Sequence, residues 1–343
     1  MKTNPGPGIE IRAIPCPTLP KNYPDGEVIV EVGACGICGT DVGIYRWHPW
    51  ESRSVKIPRV LGHEISGTVV EIGKNCGDWK VGDRVVSDTD MGCGKCFFCR
   101  IGRVNICENR KSLGLQLDGG MAKYVATRAN NLFLLPAHLS FEVGAAMEPL
   151  GVAMNAYLKS GFKPGDKVLI LGTGSIGLAT LMLLKTAGAS EVFITGLKVD
   201  QWRFEKAKEL GADAVFNVDE EDPTDQLMSR THGRGVDIVF VCAGGRENLF
   251  QASRWVRKAG TVMVIGLSHG GVDFDSNLLV EKELVFKGAY RRTPETWDRI
   301  LELVGKGKIP LKELVTHSVP LEEVEAGFHL IEKGEALKVV VTP

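Results

Sequence analysis

An excess of charge of either sign is missing from this chain. Its 41 Lys and Arg residues face 42 Asp and Glu residues, a formal net charge of −1. Such a balance offers no electrostatic footprint for nucleic acid or an anionic membrane. Long apolar runs are missing too. The longest uncharged stretch, Val168–Leu184, is about 17 residues long and holds three glycines, marginal for a membrane span. It reads better as a strand, a turn and a buried helix. The opening MKTNPGPGIEIRAIPCP has no apolar core and no cleavage pattern, so no secretory signal is expected and the protein reads as soluble and cytoplasmic. Aromatics are few at 7%, but 44% hydrophobic and 24% charged residues exclude wholesale disorder. The 343 residues suffice for two domains and a large core without disulfide staples. Nine cysteines, an odd number in a reducing compartment, favour metal ligation over a disulfide framework.

The first 150 residues are β-rich. Glu27–Val32, Ser66–Ile72 and Val81–Val86 are β-branched runs bounded by Gly, Pro and Asp, a pattern that predicts a small barrel or sandwich. Near Glu148 the pattern changes. Strands at Lys167–Leu171, Ala214–Asn217, Val236–Ala243 and Gly260–Gly266 alternate with helices at Gln201–Leu210 and Glu247–Arg257. Apolar strands alternating with helices predict a parallel sheet covered on both faces. Beyond Gly288 come amphipathic helices at Thr296–Val304 and Leu321–Lys333 and a closing strand at Lys338–Thr342. That strand has no α/β partner of its own, so the tail is expected to return to the first domain. The expected boundaries are 1–152 plus 289–343 for the first domain, with a cysteine lobe at 88–111, and 153–288 for the second.

Gly172-Thr173-Gly174-Ser175-Ile176-Gly177 fits GxGxxG, follows a strand and opens a helix. That context suits a dinucleotide pyrophosphate: the glycines provide a tight turn and close approach, and the helix N-terminus provides N–H groups and positive potential. The end of the second strand, Ile194–Asp200, leaves NAD and NADP both open. Gly196 carries no carboxylate for a ribose hydroxyl, Lys198 could meet a 2′-phosphate, and Asp200 could bind the ribose instead. Arg203 could stack on adenine or pair with a phosphate, or simply lie on a solvated helix face.

Cys93, Cys96, Cys99 and Cys107 form C-x2-C-x2-C-x7-C within one loop. Four thiolates can close a tetrahedral structural zinc site, an iron–sulfur cluster being the rival. Gly92, Gly94 and Gly102 let the backbone fold around the ion. A second constellation is more dispersed: Cys38 in CGICGTD, His63 in GHE and Glu148 in MEPLG. One thiolate, one imidazole and one carboxylate can make a three-ligand zinc site with an open position. Spacing alone leaves that site open, because its members are far apart. The other histidines, His48, His138, His232, His269, His317 and His329, read as fillers.

CGICGTD, GHEISGTVVEIG, the four-cysteine lobe, MEPLGVA and LGTGSIG occur in one order and spacing, and on them the chain resembles the zinc-dependent medium-chain dehydrogenase/reductases from end to end. The resemblance implies an α/β protein with a GroES-like β-barrel catalytic domain and a Rossmann doubly wound domain. It implies a catalytic zinc on Cys38, His63 and Glu148 with Glu64 exchangeable, and a structural zinc on the four cysteines. It also implies NAD or NADP held by the glycine loop with Lys198, Arg203, Ile265 and Arg291. The reaction would be hydride transfer from an alcohol, with Thr40 accepting the alcohol proton, or else serving only as a helix cap. A homo-oligomer, tetramer or dimer, is implied, and no nucleic-acid or membrane partner. One departure stands out: relatives carry His three residues after Thr40, where this chain has Gly43, so the exit of that proton is open to water or His48.

Two branches compete over the substrate. Tyr45-Arg46-Trp47-His48-Pro49-Trp50 and Glu295-Thr296-Trp297 resemble threonine 3-dehydrogenases, whereas EPLGVA and Tyr290-Arg291-Arg292 resemble the sorbitol and polyol branch. The expectation is oxidation of a secondary hydroxyl in a polyol, sugar or cyclitol, with L-threonine second. A nucleotide-binding sensor or structural protein without turnover is a third reading, opposed by Cys38, His63 and Glu148 together.

Overall fold

The computed structural model describes residues 1–19 and 26–343, which fall into two compact units. The first comprises Met1–Glu148, Trp297–Gly305 and Leu311–Pro343, the second Pro149–Thr296 and Lys306–Pro310.

The first unit is organised around β1 (Glu27–Gly36), an EVIVEVGACG strand whose Val28, Val30, Val32 and Cys35 enter the core. After β1 come the short helices α1 (Gly39–Tyr45) and α2 (Pro49–Ser52). Strand β2 (Glu64–Ile72) pairs antiparallel with β1, and β3 (Arg84–Ser87) with β2. Strands β4 (Asp90–Met91) and β5 (Lys111–Ser112) form a separate ribbon at the root of the cysteine loop, which carries α3 (Phe97–Arg100). Strand β6 (Tyr124–Arg128) joins the free side of β1 and β7 (Leu132–Leu134) pairs with β3. The 20-residue helix α4 (Phe141–Ser160) then continues through Pro149, and the division between the units falls just before that proline. Sequence alternation alone did not reveal α4, because Pro removes a helix donor and normally marks an end.

The second unit is a six-stranded parallel sheet: β8 (Lys167–Leu171), β9 (Glu191–Gly196), β10 (Ala214–Asn217), β11 (Val236–Val241), β12 (Val256–Val264) and β13 (Val285–Gly288), in the order β10-β9-β8-β11-β12-β13. Counted from β8 that is 3-2-1-4-5-6, the doubly wound order, with its switch point between β8 and β11. Helices α5 (Ser175–Thr186), α6 (Gln201–Glu209), α7 (Thr224–Arg230), α8 (Asn248–Trp255) and α9 (Ser276–Glu281) link the strands. Val168, Leu169, Ile170 and Leu171 are all buried, as continuous apolar strands require.

After α10 (Pro294–Gly305) the chain returns to the first sheet. Strand β14 (Val315–Pro320) pairs parallel with β15 (Lys338–Thr342), and α11 (Val324–Glu332) lies between them in sequence. Strand β15 pairs antiparallel with β1 through Cys35–Val341 and Gly36–Val340. The last strand thereby lies beside the end of β1, just before Cys38. Among the described residues, no helix is long and apolar enough to cross a membrane.

Glu27 opens β1 opposite Arg128 of β6 and is 8% exposed. Its Oε2 has no hydrogen-bond partner among the described residues. Burial, partly offset by the Arg128 charge, pushes this carboxyl from 4.5 up to about 7. The unfolded chain therefore releases the proton at lower pH than the folded one, and this group's contribution to stability is lost as pH rises toward 7. In Glu27→Gln the loss disappears, so the variant should gain on wild type in thermal midpoint between about pH 5 and 8. Parallel melting curves across that range would contradict this assignment.

Candidate metal centres and nucleotide loop

The Cys38 centre is assembled around a buried carboxylate. Cys38 follows β1 and caps α1 with extended backbone angles. Asp41, fully buried, accepts the Cys38 N–H at 3.0 Å and the Gly62 N–H at 3.2 Å. Its Oδ2 lies 3.6 Å from His63 Nδ1. Burial would raise Asp41, but the His63 charge and these donors outweigh it and hold its carboxyl below the usual value. One side chain thus fixes both segments that carry donors and orients the imidazole. Thr40 does not cap α1: Cys38 occupies that position and Asp41 supplies the capping acceptor. The Thr40 hydroxyl is not needed for the cap.

Glu64 is the third member. The donor atoms of Cys38, His63 and Glu64 all lie within 4.8 Å of one another. Lys338 of β15 donates to Glu64 Oε1 at 2.7 Å and to the Ile37 carbonyl at 3.1 Å. Glu64 Oε2, buried, has no hydrogen-bond partner among the described residues. A Cβ at position 36 would collide with that oxygen, which explains Gly36. Burial raises the Glu64 carboxyl, the Lys338 charge opposing it and Glu148 reinforcing it. Glu148 itself stands outside this compact trio. The Thr89 hydroxyl lies 3.3 Å from Glu148 Oε1 and 2.8 Å from the His63 carbonyl, so Glu148 is tied to the same backbone. The grouping that the sequence suggested, Cys38 and His63 with Glu148, is thus observed with Glu64 in the nearer place. A thiol, an imidazole and an unpartnered carboxylate oxygen suit zinc, and these side chains would hold it.

The four cysteines of the lobe converge likewise, their sulfurs within 4.8 Å of one another. Cys96 precedes α3, Cys99 lies on it, and Cys107 ends a single helical turn. The Cys93 N–H points to Cys107 Sγ at 3.3 Å, and Cys96 and Cys107 sulfurs are 3.8 Å apart. Gly94 and Gly102 have φ of 73° and 76°. A Cβ on Gly92 would stand 3.0 Å from Cys99 Sγ. Backbone N–H groups of Lys95 and Cys96 draw the Cys93 thiol down to about 6, while burial pushes Cys99 up to about 12. Cys96 is lowered as well, by the Cys99 N–H first, and a cation bound here would displace the remaining thiol protons. Closure by four cysteines leaves no open position, as in a structural zinc site.

In the second unit the glycine loop has the required form. Gly172 has φ 111°, and a Cβ on Gly177 would collide with the Gly172 carbonyl. Gly174 caps α5, and a Cβ there would meet open space, which leaves room for a pyrophosphate at Ser175 and Ile176. Thr173 Oγ1 is buried without a partner among the described residues. At Gly196 a Cβ would come within 2.8 Å of Phe204, 2.9 Å of Thr173 and 3.1 Å of Asp200 Oδ2. Asp200 has turned back into that space, bound by the Leu197 N–H at 3.0 Å and Arg203 Nη1 at 2.9 Å. Arg203 is therefore drawn onto Asp200, while the exposed Lys198 sits 3.3 Å from Glu220. Ile265 follows β12, its N–H bonded to Val241. Arg291, with φ 58°, lies over Tyr290, and Asn155 of α4 holds its carbonyl at 2.8 Å. Arg292, not Arg291, is the buried arginine.

Three aromatics from the strings that resemble threonine 3-dehydrogenases are used in packing. Tyr45 stacks on Phe328 at 4.8 Å and donates to Glu325 at 2.9 Å, Trp47 lies 5.3 Å from Lys2 Nζ, and Trp297 stacks on Phe133 at 5.0 Å.

Cys96→Ser should remove one zinc per chain and lower the thermal midpoint by roughly 10 °C, the shift expected for a loss of about 3–4 kcal/mol in a domain of this size. Metal analysis and calorimetry check it. One zinc fewer at unchanged stability would remove the structural role.

Residues 24–137 match the alcohol dehydrogenase GroES-like domain, and residues 175–306 match the family described as zinc-binding dehydrogenase. The chain is 36% identical over 339 residues to L-threonine 3-dehydrogenase of Bacillus licheniformis, covering 98% of this chain and 96% of that protein. It is 37% identical over 346 residues to sorbitol dehydrogenase of Halalkalibacterium halodurans, covering 100% and 98%. The structure of 2R,3R-butanediol dehydrogenase from Bacillus subtilis matches with a TM-score of 0.86 at 33% identity, over 97% of this chain and 96% of that one. With both domain families matched in order and relatives aligned along its whole length, the chain belongs to the zinc-dependent medium-chain dehydrogenases and is an NAD(P)-linked enzyme of the alcohol dehydrogenase type.

Proposed function

We propose that the enzyme oxidises a secondary alcohol of a polyol, sugar or cyclitol to the ketone, with hydride passing to NAD or NADP. The observation that carries this reading is the convergence of Cys38, His63 and Glu64 within 4.8 Å in a chain that also builds a dinucleotide loop. Zinc would be held by this set, with Glu148 as a further carboxylate, and would supply Lewis acidity that eases loss of a hydroxyl proton. Asp41 keeps the imidazole oriented, and Lys338 keeps Glu64 in place. Thr40, two residues beyond Cys38, takes the proton at its hydroxyl. The glycine loop holds the pyrophosphate, and the chain's task toward the nicotinamide is alignment.

Relatives named for sorbitol, 2R,3R-butanediol and L-threonine support a substrate class. In each compound the secondary hydroxyl neighbours a carbon bearing a second oxygen or nitrogen. A polyol or cyclitol meets that description at every position. L-Threonine is the second reading, favoured by the name of the Bacillus licheniformis relative. For the coenzyme, Asp200 is the proposed acceptor of the ribose hydroxyls, because its carboxylate stands beside Gly196 at the end of β9. That placement favours NAD.

Cys38→Ser should abolish turnover while leaving the fold and nucleotide binding intact, as read by circular dichroism and coenzyme titration. Full activity in the variant would reject the site. A panel of polyols, inositols, L-threonine and simple alcohols, each with NAD and NADP, tests the substrate. Turnover of L-threonine alone would replace the first reading with the second. Asp200→Ala should raise the KM for NAD by about 10- to 100-fold, the value of a charged hydrogen bond, and leave NADP less affected. Equal losses with both coenzymes would argue against a ribose contact.

A further inference from the structure

The proton that Thr40 accepts must leave, and the resemblance drawn from the sequence implies a histidine at position 43. Here Gly43 lies on α1 one turn after Thr40, so side chains from the two positions share a face about 5–6 Å apart. The space beside Gly43 is filled from elsewhere. A Cβ at this glycine would lie 2.5 Å from Glu51 Cδ and 2.9 Å from Glu51 Oε1. Glu51 is carried there by α2, whose approach is fixed by the His48 N–H bonding to the Gly43 carbonyl at 2.8 Å and by Pro49 in the first turn. The carboxylate is 5% exposed, and the neighbouring His48 is exposed, with a ring nitrogen within 4.8 Å of it. A buried carboxylate thus stands beside Gly43, with an exposed imidazole nitrogen within 4.8 Å of it.

We propose that Glu51 is the proton acceptor at the outer end of the Thr40 relay, replacing the side chain that Gly43 lacks. The inference rests on the dehydrogenase reading above. In the oxidation the alcohol C–H bond breaks and its electron pair leaves as hydride to NAD(P)+. The hydroxyl proton goes to the Thr40 oxygen, which passes its own proton through one water to Glu51. The carboxylate becomes a carboxylic acid, and that proton leaves by His48 to solvent. The sum is alcohol plus NAD(P)+ giving ketone, NAD(P)H and H+. Gly43 and Glu51 are a matched pair, since any side chain at position 43 would displace the carboxylate.

Two measurements test the proposal. The first reads stability: Gly43→Ala should lower the thermal midpoint of wild type but not of Glu51→Ala, because the collision is then gone. Equal effects in both backgrounds would deny the pairing. The second uses the zinc-loaded enzyme with whichever alcohol it turns over. Glu51→Gln should lower kcat by roughly 10²-fold near neutral pH, the lower end of the contribution of a positioned proton acceptor. Imidazole in the buffer should restore activity in proportion to its concentration, as should Gly43→His added to Glu51→Ala. Wild-type turnover on the panel judges the substrate reading, whereas the ratio of variant to wild type judges Glu51 alone. Undiminished kcat in Glu51→Gln, or a loss that neither imidazole nor Gly43→His relieves, would overturn the proposal.

Discussion

The buried carboxylate of Asp41 is the constraint on which the Cys38 centre depends. It accepts N–H groups from Cys38 and Gly62, two segments separated by more than twenty residues of chain, and faces the His63 ring. A thiol and an imidazole from distant loops converge only if their backbones share an anchor. A fully buried charge is tolerated only when its partners surround it. Asp41 meets that condition with donors from both loops, so removing either partner would strand a charge in the core.

The closing strand adds a second buried charge to the same place. Lys338 on β15 reaches Glu64 at 2.7 Å, and both side chains are almost wholly shielded from water. A pair of this kind contributes little net stability, because desolvation offsets the attraction, yet losing one partner costs several kcal/mol. Its value is positional. It occupies Glu64 Oε1, while Oε2 carries no hydrogen bond among the described residues. The same strand pairs with the end of β1, so the C-terminus braces the segment from which Cys38 emerges.

Much of this was legible in the sequence, because it is local. The glycine loop sits between a strand and a helix and is read from consecutive residues. The four cysteines lie within one loop, and Lys338–Thr342 is a β-branched run whose bounds the strand keeps. What was not legible involves residues brought together by tertiary folding. Lys338 and Glu64 are 274 positions apart, and no periodicity links them. Glu64 rather than Glu148 completes the compact trio, while Glu148 lies near the Thr89 hydroxyl, a further contact between distant residues. Tyr45, Trp47 and Trp297 lie in strings that resemble threonine 3-dehydrogenases, yet their rings pack against Phe328, the Lys2 ammonium and Phe133.

Three glycines stand beside carboxylates carried by other positions. At Gly36 and Gly43 the volume of a Cβ is taken by Glu64 and Glu51, and at Gly196 by Phe204 and Thr173 with Asp200 Oδ2 next to them. Read along the chain, Gly43 and Gly196 look like missing groups, a lost relay residue and a lost ribose acceptor. In space neither position lacks a carboxylate. An acidic oxygen stands beside each glycine, reached from a short helix eight residues later in one case and from the next turn in the other. A glycine cannot itself carry the chemistry, but its missing side chain decides which neighbour can. At Gly36 and Gly43 the pairs change together: a side chain restored at the glycine meets the acid below 3.0 Å, and removing the acid leaves a void. Chemical function in this family fold is therefore better located by the space around the backbone than by the residue type at a motif position.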